Sequence, residues 1–110
     1  VGVGEATFAS MDAFLDPGDE ILVPNPVWLN YIHVPSALGA VPVTYSLKEE
    51  NDYQIDFEEM ESKITDKTKM IVVVNPSNPT GGVFSRETLE KLSEIGINSM
   101  PFCRHIANSL

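Results

Sequence analysis

The sequence carries a single cysteine, Cys103, in 110 residues. That excludes an internal disulfide framework and any zinc site built on clustered cysteines, and it makes a reduced, cytoplasmic setting the expectation. Basic residues are scarce. Seven Lys and Arg stand against sixteen Asp and Glu, for a formal charge of −9 and a pI near 4.4. A chain this acidic repels phosphodiester backbones and anionic lipid headgroups, so neither nucleic acid nor a membrane is an expected partner. Long apolar runs are missing too. The longest, Met70–Val74, is far too short to span a bilayer. No basic stretch followed by an apolar one opens the chain, so no secretory signal is read. The two histidines, His33 and His105, lack partners at ligand spacing, and no metal site is expected.

What is present suits a folded core. Apolar residues make up 43% of the chain and charged residues 21%, which fits one domain or a piece of one. The charge is uneven: no acid follows Glu94, and the stretch Gly96–Leu110 shows no clear helical or strand periodicity. A shift this sharp reads as a linker or as a segment foreign to what precedes it, such as out-of-frame translation. The expected division is therefore residues 1–95 and an atypical tail, 96–110.

Helix and strand signals alternate before that tail. Glu5–Leu15 reads as a helix, stopped by Asp16-Pro17-Gly18-Asp19. Glu20–Pro24 reads as a buried strand. Val27–Leu38 is a helix that Pro35 should kink or shorten, closed by Gly39. Val41–Leu47 alternates as a strand does. Asp56, with Glu59 three residues on, begins a helix through Ile64. Lys69–Val74, continuous and β-branched, reads as a strand covered on both faces. Ser85 caps a last helix, Arg86–Ile95. The repeated βαβ order predicts an α/β layered fold with a mostly parallel sheet.

Three places could carry chemistry. Gly2-Val3-Gly4 opens the first helix, where exposed amides and the helix dipole favour an anion such as phosphate. The third glycine of a dinucleotide fingerprint is missing, and a plain glycine-rich turn remains the alternative. Trp28, the sole tryptophan, follows a strand's carboxyl end, where open α/β sheets hold ligands. Its indole could stack on a planar ring or anchor its helix in the core. Asn75-Pro-Ser-Asn-Pro-Thr-Gly-Gly82 follows the strongest strand, and its two X-Pro steps and two glycines exceed what a plain turn needs. Asn78 there offers an amide to a ligand. Cys103 has no local base and is not read as a nucleophile. Glu49-Glu50 and Glu58-Glu59 with Glu61 read as solvated faces.

Together these segments resemble the class I/II aminotransferases, the fold-type-I pyridoxal-phosphate enzymes. Asp16-Pro-Gly-Asp-Glu20 with Val23-Pro24-x-Pro26 looks like that family's "DPGDE…P.P". Ile64-Thr-Asp-Lys-Thr-Lys69 looks like its "IT.KTK", and Asn75–Gly81 is similar to its "NPNNPTG". Trp28 most resembles aspartate-aminotransferase-like members. The resemblance covers about residues 1–95 and implies a three-layer α/β/α piece of the family's large domain, truncated at both ends. It implies pyridoxal 5′-phosphate as cofactor, with Gly2, Val3 and Gly4 at its phosphate, Trp28 stacked on its ring and Asn78 on its phenolic oxygen. It further implies amino-acid and 2-oxo-acid substrates and a homodimeric parent enzyme. The family's Schiff-base lysine, the Asp that holds the pyridine nitrogen protonated, and a C-terminal Arg lie downstream of the NPTG element. None of Lys48, Lys63, Lys67, Lys69 or Lys91 has the required context. No catalytic residue is therefore expected in this chain, which should be inactive by itself. A carbon–sulfur lyase of the same fold, or a non-catalytic nucleotide-binding or interaction domain, are the alternatives.

Overall fold

The structure is a computed structural model that describes residues 2–99 and 104–108. Helix α1 (Val3–Phe14) leads into strand β1 (Glu20–Asn25), helix α2 (Asn30–Ala37) and strand β2 (Val41–Ser46). A short 3-10 turn (Glu49–Asn51) precedes helix α3 (Phe57–Ser62), strand β3 (Thr68–Val74), helix α4 (Arg86–Ser99) and strand β4 (Arg104–Asn108). All four strands are parallel, in the order β2-β1-β3-β4.

Alternation along the inner strands divides the core in two. Ile21, Val23, Met70, Val72 and Val74 pack with Met11 and Leu15 of α1 and Tyr31 of α2. Leu22, Ile71 and Val73 point the other way, onto Met60 of α3 and Leu92 and Ile95 of α4. The apolar run in β3 is thus buried on both faces, as a central parallel strand requires, and the architecture is the expected α/β/α sandwich.

Several local expectations shift. Helix α2 begins at Asn30, not Val27, with Leu29 as its N-cap, and Pro35 is accommodated inside it. Asp56 caps α3 by accepting from the Glu59 amide at 3.1 Å, but the Glu59 carboxylate turns away to Ser46 and Lys63 and leaves the capping box half made. Helix α4 runs past Ile95 to Ser99, and residues 104–108 form β4 on β3. Ile95 and Gly96 are buried on that helix, whereas Ile97 and Asn98, equally uncharged, are exposed. Cys103 lies outside the described residues.

The pairing of β1 with β3 ends early, and the cause is one residue. Glu20 N–H donates to the Lys67 carbonyl on the β3 side, while Leu47 N–H donates to the Asn25 carbonyl on the β2 side. Even-numbered residues of β1 therefore face β3. One step beyond the last pair, Leu22 with Ile71, an N–H would meet the Val72 carbonyl, but the residue there is Pro24. The buried Tyr45 hydroxyl donates to that carbonyl instead, at 2.9 Å. Burial pushes the Tyr45 phenol well above its ordinary pKa, so it remains a donor.

Candidate functional site

Strand order locates the site. From β1 the chain leaves through α2, on one face, to β2. From β3 it leaves through α4, on the other face, to β4. The two connections diverge at the carboxyl ends of β1 and β3, which makes that crevice the topological switch point, where open α/β sheets bind ligands. Pro24 ends the β1–β3 ladder at this place.

Three loops meet this edge. The start of α1 is one of them. Gly2 caps it with φ +84°, and no described side chain caps its amides. The first intrahelical bond of this end runs from Ala6 N–H to the Gly2 carbonyl, leaving the Val3 and Gly4 amides without helical acceptors. Such amides suit an anion. The second loop carries Trp28, which is 41% exposed, so it is not the core anchor of its helix. A Cβ built on Gly4 would lie 3.9 Å from Trp28 Cη2, so the helix start and the indole are in contact range. Tyr31 meets the indole edge to face, at 6.0 Å between centroids and 82° between planes.

The third loop follows β3. Ser77 N–H donates to the Gly82 carbonyl and Gly81 N–H to the Ser77 carbonyl, both at 2.8 Å, closing the turn on itself. Asn75 Oδ1 accepts from Phe84 N–H at 3.0 Å, so Asn75 is an internal fastener of the loop. Asn78 is exposed at the tip, and among the described residues its carboxamide is not engaged. It stands on the neighbouring strand's loop, and the shared carboxyl edge relates it to Gly4 and Trp28. The Asn25–Pro26, Asn75–Pro76 and Asn78–Pro79 peptide bonds are cis.

Residues 1–103 match the family model for aminotransferase class I and II. The chain belongs to that family. It is 41% identical, over 93 residues, to a probable aspartate/prephenate aminotransferase of Aquifex aeolicus, covering 84% of this chain and 24% of that protein. It superposes with a TM-score of 0.89 and 42% identity on an alanine aminotransferase from Pyrococcus furiosus, covering 96% of this chain and 26% of that one. An aspartate aminotransferase from Thermus thermophilus, solved with maleate, gives a TM-score of 0.89 at 34% identity, over 94% of this chain and 27% of that one. The chain thus spans about a quarter of these relatives' length.

Membership in the aminotransferases implies pyridoxal phosphate as cofactor, and the donor set at the edge fits that group: paired backbone amides for a phosphate, a part-exposed indole for a flat ring, a carboxamide for a ring oxygen. The lysines are elsewhere. Lys63 Nζ is held by the Thr44 carbonyl and Glu59. Lys67 and Lys69 sit where β3 begins, at the opposite edge, and Lys91 lies over the Phe57 ring at 4.4 Å. Lys48 follows β2, on the side of β1 away from the crevice. Among the described residues no cluster of His, Cys, Asp or Glu could hold a metal, and no helix is long and apolar enough to cross a membrane.

Residue-by-residue reading of the sequence missed Tyr31 and Asn75. Tyr31 was signalled by its spacing, three residues after Trp28 within the span expected as a helix, 27–38. The local reading offered the Asn78 amide to a ligand, but nothing marked Asn75 as the fastener, since both precede proline in the same motif.

Proposed function

We propose that the whole protein transfers an amino group from an amino acid such as aspartate to a 2-oxo acid, and that this chain supplies part of its pyridoxal phosphate site. In this reading the amides at Gly2, Val3 and Gly4 hold the phosphate, the Trp28 indole stacks on the pyridine ring, and the Asn78 amide donates to the ring's phenolic oxygen. The bound cofactor supplies the electron sink for breaking bonds at the amino acid's Cα. The chain's own residues bind and orient it. The cytoplasmic setting and a homodimeric assembly belong to the same proposal.

One observation carries most of the support. A Cβ built on Gly4 would lie 3.9 Å from Trp28 Cη2 at the switch-point edge, which supports a shared site for anion-binding amides and a ring-stacking face. With no lysine of this chain at the crevice, we propose that it binds the cofactor without catalysing transfer.

The test uses pyridoxine 5′-phosphate, which lacks the aldehyde and cannot react with surface lysines. Trp28 is the sole tryptophan, so its fluorescence reports on this site alone. Saturable quenching is expected, and Asn78→Ala should weaken binding about three- to tenfold, the range for one lost hydrogen bond. Emission that ignores the ligand would sink the proposal.

A further inference from the structure

Trp28 can serve a ring only if its own plane is held, yet it lies two residues before α2 and is 41% exposed. Two contacts restrain it. One is the α1 start at Gly4, where a Cβ would stand at ordinary van der Waals range of Cη2, 3.9 Å. The other is Tyr31, on the first turn of α2, 1% exposed and perpendicular to the indole. The Tyr31 amide also donates to the Trp28 carbonyl at 3.1 Å, which locks the two residues into one turn. A buried ring cannot swing, so its edge-to-face contact fixes the angle of its partner. The Tyr31 hydroxyl has no hydrogen-bond partner among the described residues although it is buried.

We propose that Tyr31 is a positioning residue of the cofactor site: its ring sets the plane of the Trp28 indole before the ligand arrives. The proposal rests on the pyridoxal-phosphate reading above. Preorganisation of this kind lowers the ordering cost of binding.

The experiment compares the 110-residue chain with Tyr31→Phe and Tyr31→Leu. The first readout needs no ligand: the near-ultraviolet circular dichroism and fluorescence anisotropy of Trp28. The second is quenching by pyridoxine 5′-phosphate. Tyr31→Phe keeps the ring edge and should keep both signals. Tyr31→Leu should lower the anisotropy, flatten the tryptophan band and weaken binding about two- to tenfold, the equivalent of one aromatic pair. If Tyr31→Leu loses its far-ultraviolet spectrum, Tyr31→Met, closer in shape, takes its place. Unchanged signals in the Leu or Met variant, or equal losses in the Phe variant, overturn the proposal while the cofactor reading stands. A wild-type chain that is not quenched overturns the cofactor reading, and this proposal with it.

Discussion

At residue scale, a proline and a tyrosine decide where the sheet opens. Pro24 cannot donate to the Val72 carbonyl, and the Tyr45 hydroxyl takes over from a strand away. Tyr45→Phe removes that oxygen alone and leaves a buried carbonyl unmet. The expected loss is about 1–3 kcal/mol in urea unfolding. Tyr31→Phe removes a hydroxyl with no described partner and should be neutral or stabilising. Equal effects from the two would refute the assignment. The Asp16–Asp19 turn illustrates a motif with a structural use. Gly39 closes α2 at φ +82°, and a Cβ there would press on Pro17 Cβ at 3.2 Å, whereas Gly18, at φ +90°, has nothing within 4 Å. Both Ala variants suffer the left-handed backbone, about 1–2 kcal/mol. Gly39→Ala should lose measurably more, because Pro17 must also move.

At element scale, the outer edge of β2 shows how the sheet is closed to other strands. Since Val41 and Leu47 donate towards β1, Pro42, Thr44 and Ser46 face outward. Pro42 has no N–H to offer. Lys63 Nζ covers the Thr44 carbonyl, and Glu59 accepts from both the amide and the hydroxyl of Ser46. Helix α3 thus blocks the edge with side chains. The Lys63 bond, with those from Ser46, holds the Glu59 carboxyl below its ordinary pKa against a smaller opposing effect of burial. A lowered native pKa means stability that is present above the ordinary value of ~4.3 and lost as pH falls through the native one. Glu59→Ala should lower stability by about 1 kcal/mol at neutral pH, and the gap to wild type should close in acid. A gap that widens on acidification would contradict the assigned sign. The inner strands were legible because burial on both faces leaves a β-branched run, and β3 lies within one residue of its expected start. The Glu59 clamp was not legible. Its glutamate fitted a capping box equally well, and only the register of β2 beside α3 decides between the two partners.

For the whole molecule, the division of labour is between two edges of one sheet. The amino-terminal edge carries turns that pack on one another: Gly18 N–H donates to the Gly39 carbonyl at 2.9 Å, and Thr65 Oγ1 to Glu20 at 2.7 Å. The carboxyl edge carries the α1 start, the Trp28 loop and the Ser77–Gly82 turn. Which loops share an edge follows from strand order, and strand order is a tertiary fact. The family motifs gave the expectation that positions 2–4, 28 and 78 converge, but the periodicities alone could not order the strands. Two inserted glycines make a sharp test of this division. Lengthening a surface loop adds little closure entropy, so insertion after Asp66, at the amino-terminal edge, should leave pyridoxine 5′-phosphate quenching of Trp28 intact. The same insertion within Ser77–Gly82 breaks bonds that close that turn and moves Asn78 relative to the indole. Binding should then fall at least as far as in Asn78→Ala, while both insertions retain a far-ultraviolet spectrum of folded α/β protein. Loss of quenching from the Asp66 insertion, with the other chain still binding, would place the ligand at the wrong end of the strands and refute the switch-point assignment.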